Sequence, residues 1–478
     1  MSWSVLQRLH HWFHHASGAP LAQPGSDGLP SALRWGAIVT IALGITMAVL
    51  DGVVVNVALP TLARELHTSA ASSIIIVNAY QLVITMALLS LSSLGDILGY
   101  RRIYLAGLLL FVVMSLGCAT ADSLTSLTLA RMLQGLGAAA LMSVNTALIR
   151  LIYPARKLGR GMAINSLVVA GAAAAGPTIS AAILSLASWR WLFAINIPFG
   201  LLALYLGWRY LPRNEGVATQ RFDKLSSLLN ALTFGLFFVT LSAVAHEQPL
   251  HWILPGLLAT LAIGVIFVRR QLRQPYPLLP VDLLRIPLFS LSITTSVASF
   301  CAQMLAMVSL PFFLQQQLGL SAVETGLLLT PWPIATMLLA PVAGRLLERG
   351  THAGLLGAVG MALFATGLLW LAWLPATTSH LLLCLPMLLC GAGFGLFQSP
   401  NNHTIISAAP RHRSGGASGM LGTARLMGQT TGAALVALAF NLFANHGTHA
   451  CLLTAGILAA LAAIVSLLRV GAISPDTR

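Results

Sequence analysis

The chain has 478 residues, and Asp, Glu, Lys and Arg make up only 8% of them, against about 25% in ordinary soluble proteins. Hydrophobic residues reach 57% and mean hydropathy is +0.84, so a water-soluble fold would expose apolar patches that soluble monomers avoid. Lipid is therefore the expected solvent. The net charge of +14 does not indicate nucleic acid, because the 26 Lys and Arg are scattered in small clusters instead of forming one basic face with a readable motif.

Residues 1–33 contain polar and Pro/Gly-rich sequence and no apolar h-region, so no cleavable signal peptide is expected and the first span should serve as its own signal. Trp3, Val5, Leu6, Leu9, Trp12 and Phe13 with Arg8 fit an amphipathic helix on the inner headgroups. His10, His11, His14 and His15 offer metal binding as an alternative, but no acid or Cys completes a ligand set.

A helix crossing the ~30 Å hydrocarbon core needs about 20 apolar residues. Fourteen stretches qualify: 35–57, 71–95, 103–120, 124–149, 161–186, 191–211, 225–245, 251–268, 288–314, 323–344, 354–374, 379–400, 414–441 and 449–468. Their length indicates helices, since a spanning strand needs only about 9–11 residues and alternates polar with apolar. With these spans, 22 of the 26 Lys and Arg fall on one set of alternate loops and two, Arg64 and Arg190, on the other. That asymmetry predicts a multi-pass membrane protein with both termini cytoplasmic. The five cysteines lie in apolar runs without zinc or redox spacing.

Ionisable groups at membrane depth are costly and are functional candidates by default. Asp51, Arg131 and Arg425 qualify. At 1.5 Å per residue, Asp51 and Arg131 differ in depth by about 7 Å, within reach of an Arg side chain. A desolvated carboxyl titrates nearer neutrality, which would suit a proton carrier, while a permanent ion pair with Arg131 would merely hold two helices together. Asn56, Tyr80, Gln134, Asn165, Gln303, Gln315, Trp332 and Asn401 are embedded polar or aromatic groups that could line a substrate cavity. The loop Leu94–Arg102 carries Asp96, Gly99, Arg101 and Arg102, where acid and guanidinium could clamp helix ends, and Gly344–Gly350 weakly echoes it.

Several of these stretches together resemble the 14-span drug:proton antiporters of the major facilitator superfamily. Leu50–Pro60 is similar to the family's first-span motif LDxTVVNVALP, and Arg131–Ala139 to its fourth-span RxxQGxGAA. Leu94–Arg102 resembles the gating loop GxLADRxGRR, with Ser92, Ile97 and Tyr100 as departures. Gly176 and Pro177 match the antiporter motif GPxxGG, whose last glycines are here Ser180 and Ala181. Ser399–Asn402 and the run through Arg425 and Gly428 also look like this family.

The resemblance implies an all-α membrane protein of 14 helices. Residues 1–33 form a tail, 34–212 and 288–470 two six-helix bundles, 213–287 an inserted helix pair and 471–478 a second tail. It implies proton-coupled export of hydrophobic cationic compounds by alternating access, with Asp51 and Arg131 in coupling. A specific metabolite or lipid-like amphiphile is the alternative cargo, and a membrane sensor a remote one. The expected partners are a small-molecule substrate, protons and the bilayer; a periplasmic adaptor is left open. No nucleic acid, cofactor, metal or enzymatic chemistry is expected.

Overall fold

The computed structural model describes residues 28–213, 222–245, 248–274, 277–375, 380–410, 413–443 and 446–471. The histidine-rich tail and residues 472–478 lie outside them. Fourteen long helices run in chain order: α1 Ser31–Glu65, α2 Ile75–Leu98, α3 Tyr100–Ala119, α4 Leu124–Ile152, α5 Leu158–Leu186, α6 Asn196–Tyr210, α7 Lys224–Ala245, α8 Leu250–Gln271, α9 Pro287–Phe312, α10 Pro331–Glu348, α11 Ala353–Trp373, α12 His380–Ala408, α13 Ser414–Leu442 and α14 Gly447–Leu468. Short helical turns lead into three of them, Ala70–Ser73 before α2, Trp191–Ala194 before α6 and Ala322–Leu329 before α10, while α9 continues as a π turn, Phe313–Gln317.

Among the described residues, 13 helices are long and apolar enough to cross a membrane, one fewer than the sequence suggested. The exception is α13, which is long enough, with 29 residues, but is rich in Gly, Ala, Ser and Thr and carries Arg425 and Gln429. Neighbouring helices supply its surroundings instead, since α2, α7, α9 and α14 all pack on it.

Packing repeats between the halves. In the first, α1 packs on α5 and α6, α4 on α2 and α3, and α3 on α6; in the second, α9 packs on α13 and α14, α12 on α10 and α11, and α11 on α14. The repeat extends to single glycines. A Cβ on Gly137 of α4 would stand 2.7 Å from Gly107 O and Phe111 N of α3, and one on Gly393 of α12 would stand 2.5 Å from Gly360 O and Phe364 N of α11. Small residues thus bring these helix backbones into direct contact, as membrane interfaces favour. The loop echo is real as well: the turns after α2 and α10 contain Gly99 at φ 96° and Gly350 at φ 90°, a left-handed region where only glycine is unstrained.

The halves meet through α1–α9, α2–α13 and α5–α10. Helix α7 lies over α2 and α13 and α8 packs chiefly on α7; Asn230 Nδ2 of α7 donates to Met86 O of α2 at 2.9 Å. Below them Asp223 accepts from Ser226, Gln274 and Arg270. Burial alone would raise its carboxyl, but these hydrogen bonds outweigh that and hold it well below the usual carboxylate range.

The face poor in arginine is closed. Gln315 Nε2 of the π turn donates to Val57 O of α1 at 3.0 Å, and the hydroxyls of Thr178 and Thr330 lie 2.7 Å apart. Gly326 fits directly over α5, where an added Cβ would meet Pro177 O and Ala181 Cβ at 2.5 Å.

Candidate functional site

Asp51 sits midway along α1 and is 1% exposed. Among the described residues it is the only carboxylate inside a long helix far from both ends. Arg131 of α4, fully buried, donates through Nη1 to Asp51 Oδ2. The other carboxylate oxygen accepts from Gln134 Nε2 at 3.0 Å and from Asn196 Nδ2 at 2.9 Å. Gln134 also donates to Ser115 Oγ at 2.9 Å and accepts from Arg131 Nη1 at 2.7 Å. The guanidinium further donates through Nε to Ile76 O, with its carbon 4.0 Å from the Tyr80 ring centroid and 5.6 Å from that of Phe193. Tyr80 in turn donates its hydroxyl to Ala48 O at 3.0 Å.

One carboxylate therefore ties together α1, α4 and α6, with α3 held through Gln134 and α2 through Arg131. Buried charges survive only when paired and hydrogen-bonded, and here both oxygens and most of the guanidinium are engaged. The α2–α4 approach depends on Gly135, where a Cβ would meet Tyr80 O at 2.7 Å. Arg131 and Gln134 fall on one face because they are three residues apart on a helix.

Asp51, Arg131, Tyr80 and Gln134 are thus brought together. The environment of Asp51 is not the apolar one expected, because Asn196 and Ser115 supply polar partners that sequence reasoning passed over. Each is a polar residue inside an apolar run, Asn196 just before Pro198 and Ser115 in the middle of the third span, which was the signal available.

Other expected cavity residues are dispersed. Asn56 is 7% exposed, with its Oδ1 buried and unpartnered. Asn165 accepts from Asn145 at 2.8 Å across α4 and α5. Gln315 belongs to the closed face, and Gln303 is half-buried on α9. Two residues turn away from any cavity. Trp332, 1% exposed, packs edge-on against Phe364 inside the second bundle. Asn401 accepts from Arg469 Nη1 at 2.5 Å and donates to Ser296 Oγ at 2.8 Å. Arg469, read from sequence as a loop cation, is 1% exposed and belongs to that buried network.

The loop expected to gate also differs from the sequence reading. Asp96 accepts from Tyr100 Oη at 2.7 Å, and Arg101 turns to α6, donating to Trp208 O; Arg102 Nη1 reaches Leu98 O at 3.4 Å. Helix α2 stops at Gly99 and α3 starts at once, so Tyr100 lies four residues from Asp96 and its ring folds back over the last turn. The departure from the family pattern is the partner of the acid. Tyr100→Phe should lower folding stability by about 1–1.5 kcal/mol, read from thermal unfolding in nanodiscs; an unchanged transition would mean that this hydroxyl contributes nothing. Gly176 and Pro177 lie where α5 meets α1 and the turn before α10: Val53 stands 2.5 Å from a Cβ on Gly176. Ser180, in place of a motif glycine, donates to Val54 O at 2.9 Å. On α13, Gly428 allows contact with α9, where Val297 O would lie 2.5 Å from an added Cβ, and Arg425 stands over the Phe300 ring at 5.5 Å.

Comparison with known proteins agrees with this geometry. Residues 41–433 match the family description Major Facilitator Superfamily. Over 446 residues, 93% of this chain and 97% of the relative, the chain is 64% identical to "Uncharacterized transporter YebQ" of Escherichia coli (strain K12). It is 31% identical over 405 residues, 84% of this chain and 74% of the relative, to "Multidrug resistance protein Stp" of Mycobacterium tuberculosis (strain CDC 1551 / Oshkosh). A solved D-xylose-proton symporter superposes with a TM-score of 0.65 at 14% identity, covering 90% of this chain and 97% of that one, which speaks to the fold. A repeated six-helix packing pattern, apolar spans and these matches converge: the chain is a membrane transporter of the Major Facilitator Superfamily.

Proposed function

We propose that this transporter is a proton-coupled exporter of hydrophobic compounds, seated in the bacterial inner membrane with both termini in the cytoplasm. The bundles of residues 34–212 and 288–470 rock about a central path, and 213–287 carries the inserted pair. The observation that supports coupling most directly is the Asp51–Arg131 pair. Protonation of Asp51 would cancel its attraction for Arg131, while Gln134 and Asn196 offer hydrogen bonds to either form of the carboxyl. Each inward proton supplies about 2.3 kcal/mol per 100 mV and about 1.4 kcal/mol per pH unit, enough for a hundredfold gradient of a neutral cargo.

Relatives named for multidrug resistance and multidrug efflux support a broad cargo range. A preference for cations has less support, because the one deep carboxylate is already neutralised by Arg131. That observation favours the second reading, export of a particular metabolite or lipid-like amphiphile. Proteoliposomes under an imposed pH gradient test the proposal: a cargo should move uphill with a matching proton flux, seen with a trapped pH dye. Cargo flux that is indifferent to the gradient would refute coupling.

A further inference from the structure

Arg425 comes 11 residues after Ser414, the first residue of α13, so it lies about 16 Å along that helix, near the middle of a ~30 Å core. Its Nε is buried without a hydrogen-bond partner. Among the described residues no carboxylate pairs with it, and its one ring contact is Phe300. Arg131, the other cation at membrane depth, is by contrast fully matched by Asp51. An unmatched cation at this depth is costly and points to function.

Helix geometry fixes its direction. At about 100° per residue, Gly428 and Gly432 fall on one side of Arg425 and contact α9, with Val297 O and Cys301 O 2.5 and 2.6 Å from where their Cβ atoms would stand. Gly422 and Leu426 fall on the other side, the first facing Leu88 of α2 and the second joining the apolar cluster of Tyr80 and Ile84. Helix α7 covers the back of α13, where Phe238 clusters with Ala434. Arg425 therefore projects into the seam between α9 and α2, where the two bundles face each other. Gln429, one turn on and about 40° around the axis, shares this direction and is half-buried.

From this arrangement we infer that Arg425 and Gln429 form a subsite for the anionic head of an amphiphilic cargo, a carboxylate, sulfonate or phosphate. A guanidinium fork accepts such oxygens in two parallel hydrogen bonds, and the Gln429 amide can donate a third. The inference rests on the exporter reading and sharpens it: the cargo bears negative charge.

Binding at equilibrium tests it without requiring transport. Full-length protein in zwitterionic nanodiscs is titrated calorimetrically with three probes of matched body, naphthylacetate, naphthalenesulfonate and naphthylmethylammonium. The two anions should bind at least tenfold more tightly than the ammonium; Arg425→Gln should erase that preference, Arg425→Lys keep part of it, and Gln429→Leu weaken anion binding several-fold. Monodisperse elution of each variant guards against misfolding, with the lysine variant as the conservative control. Equal binding of all three probes, no anion binding by the wild type, or an anion preference that survives in Arg425→Gln each overturns the subsite. Calorimetry reads this preference with no proton gradient present, so a failed coupling mechanism, seen as gradient-indifferent flux in proteoliposomes, and a failed subsite give different results.

Discussion

Asp51→Asn is expected to abolish uphill, proton-driven efflux while cargo exchange between equal concentrations continues. The amide is close to isosteric and still presents one oxygen to Gln134, Asn196 or Arg131, but it cannot take up a proton at physiological pH. It also leaves the fully buried Arg131 without its counter-charge. Breaking one side of a buried pair costs about 3–5 kcal/mol, whereas removing both charges together is often nearly neutral. Thermal unfolding should therefore show a marked loss in Asp51→Asn and recovery of most of it in Asp51→Asn/Arg131→Gln, while the double variant stays uncoupled. This dissociation of stability from coupling separates a proton carrier from simple helix glue. Uphill efflux at the wild-type rate in either variant would make Asp51 a structural residue only.

Gly326→Val should hold the arginine-poor face open. The position has no room for even a Cβ, which would meet a backbone carbonyl, Pro177 O, and Ala181 Cβ at 2.5 Å. Neither can move without shifting α5 itself. The contact joins the two halves, the turn before α10 lying on α5, so a state in which that face opens would lose the clash, which is the condition for moving a population. At a penalty of about 1.4 kcal/mol the ratio changes tenfold; a backbone overlap should exceed that. Spin-label distances across this face, between the turns near Ser69 and Gly447, should lengthen in most molecules. A distance distribution like that of the wild type would show that the seal lies elsewhere.

Much of this was legible in the sequence, since apolar length and arginine placement are averages over many residues and tolerate local error. The positions of the helices followed from them, and α13 shows where they stop: Arg425 and its small residues lower the hydropathy of a helix that protein, not lipid, surrounds. The Asp51–Arg131 pair was legible from depth arithmetic, because an intramembrane charge has few partners to choose from. Its completion by Asn196 and Ser115 was not, because single polar residues in apolar spans are common and nothing in one dimension shows which of them converge. Trp332 and Asn401 failed for a related reason: polarity marks a side chain as embedded but not which face of its helix it occupies. Tyr100 failed because a turn with no spare residue places the i+4 side chain back on the acid, a consequence of backbone geometry.

The matched glycine contacts of α3 with α4 and of α11 with α12 bear on how such a molecule can work at all. Where two backbones touch with no side chain between them, there is nothing to slide or repack, so each pair behaves as a stiff beam. A stiff beam transmits a push at one end to the other undiminished, and closure on one side of the membrane can then force opening on the far side. Were Gly137 or Gly393 to gain even a methyl group, the beam would become a loose joint. Movement at one face would dissipate within its own half of the protein, and the two mouths of the path could stand ajar together, a leak for the gradient on which the proposed export would draw.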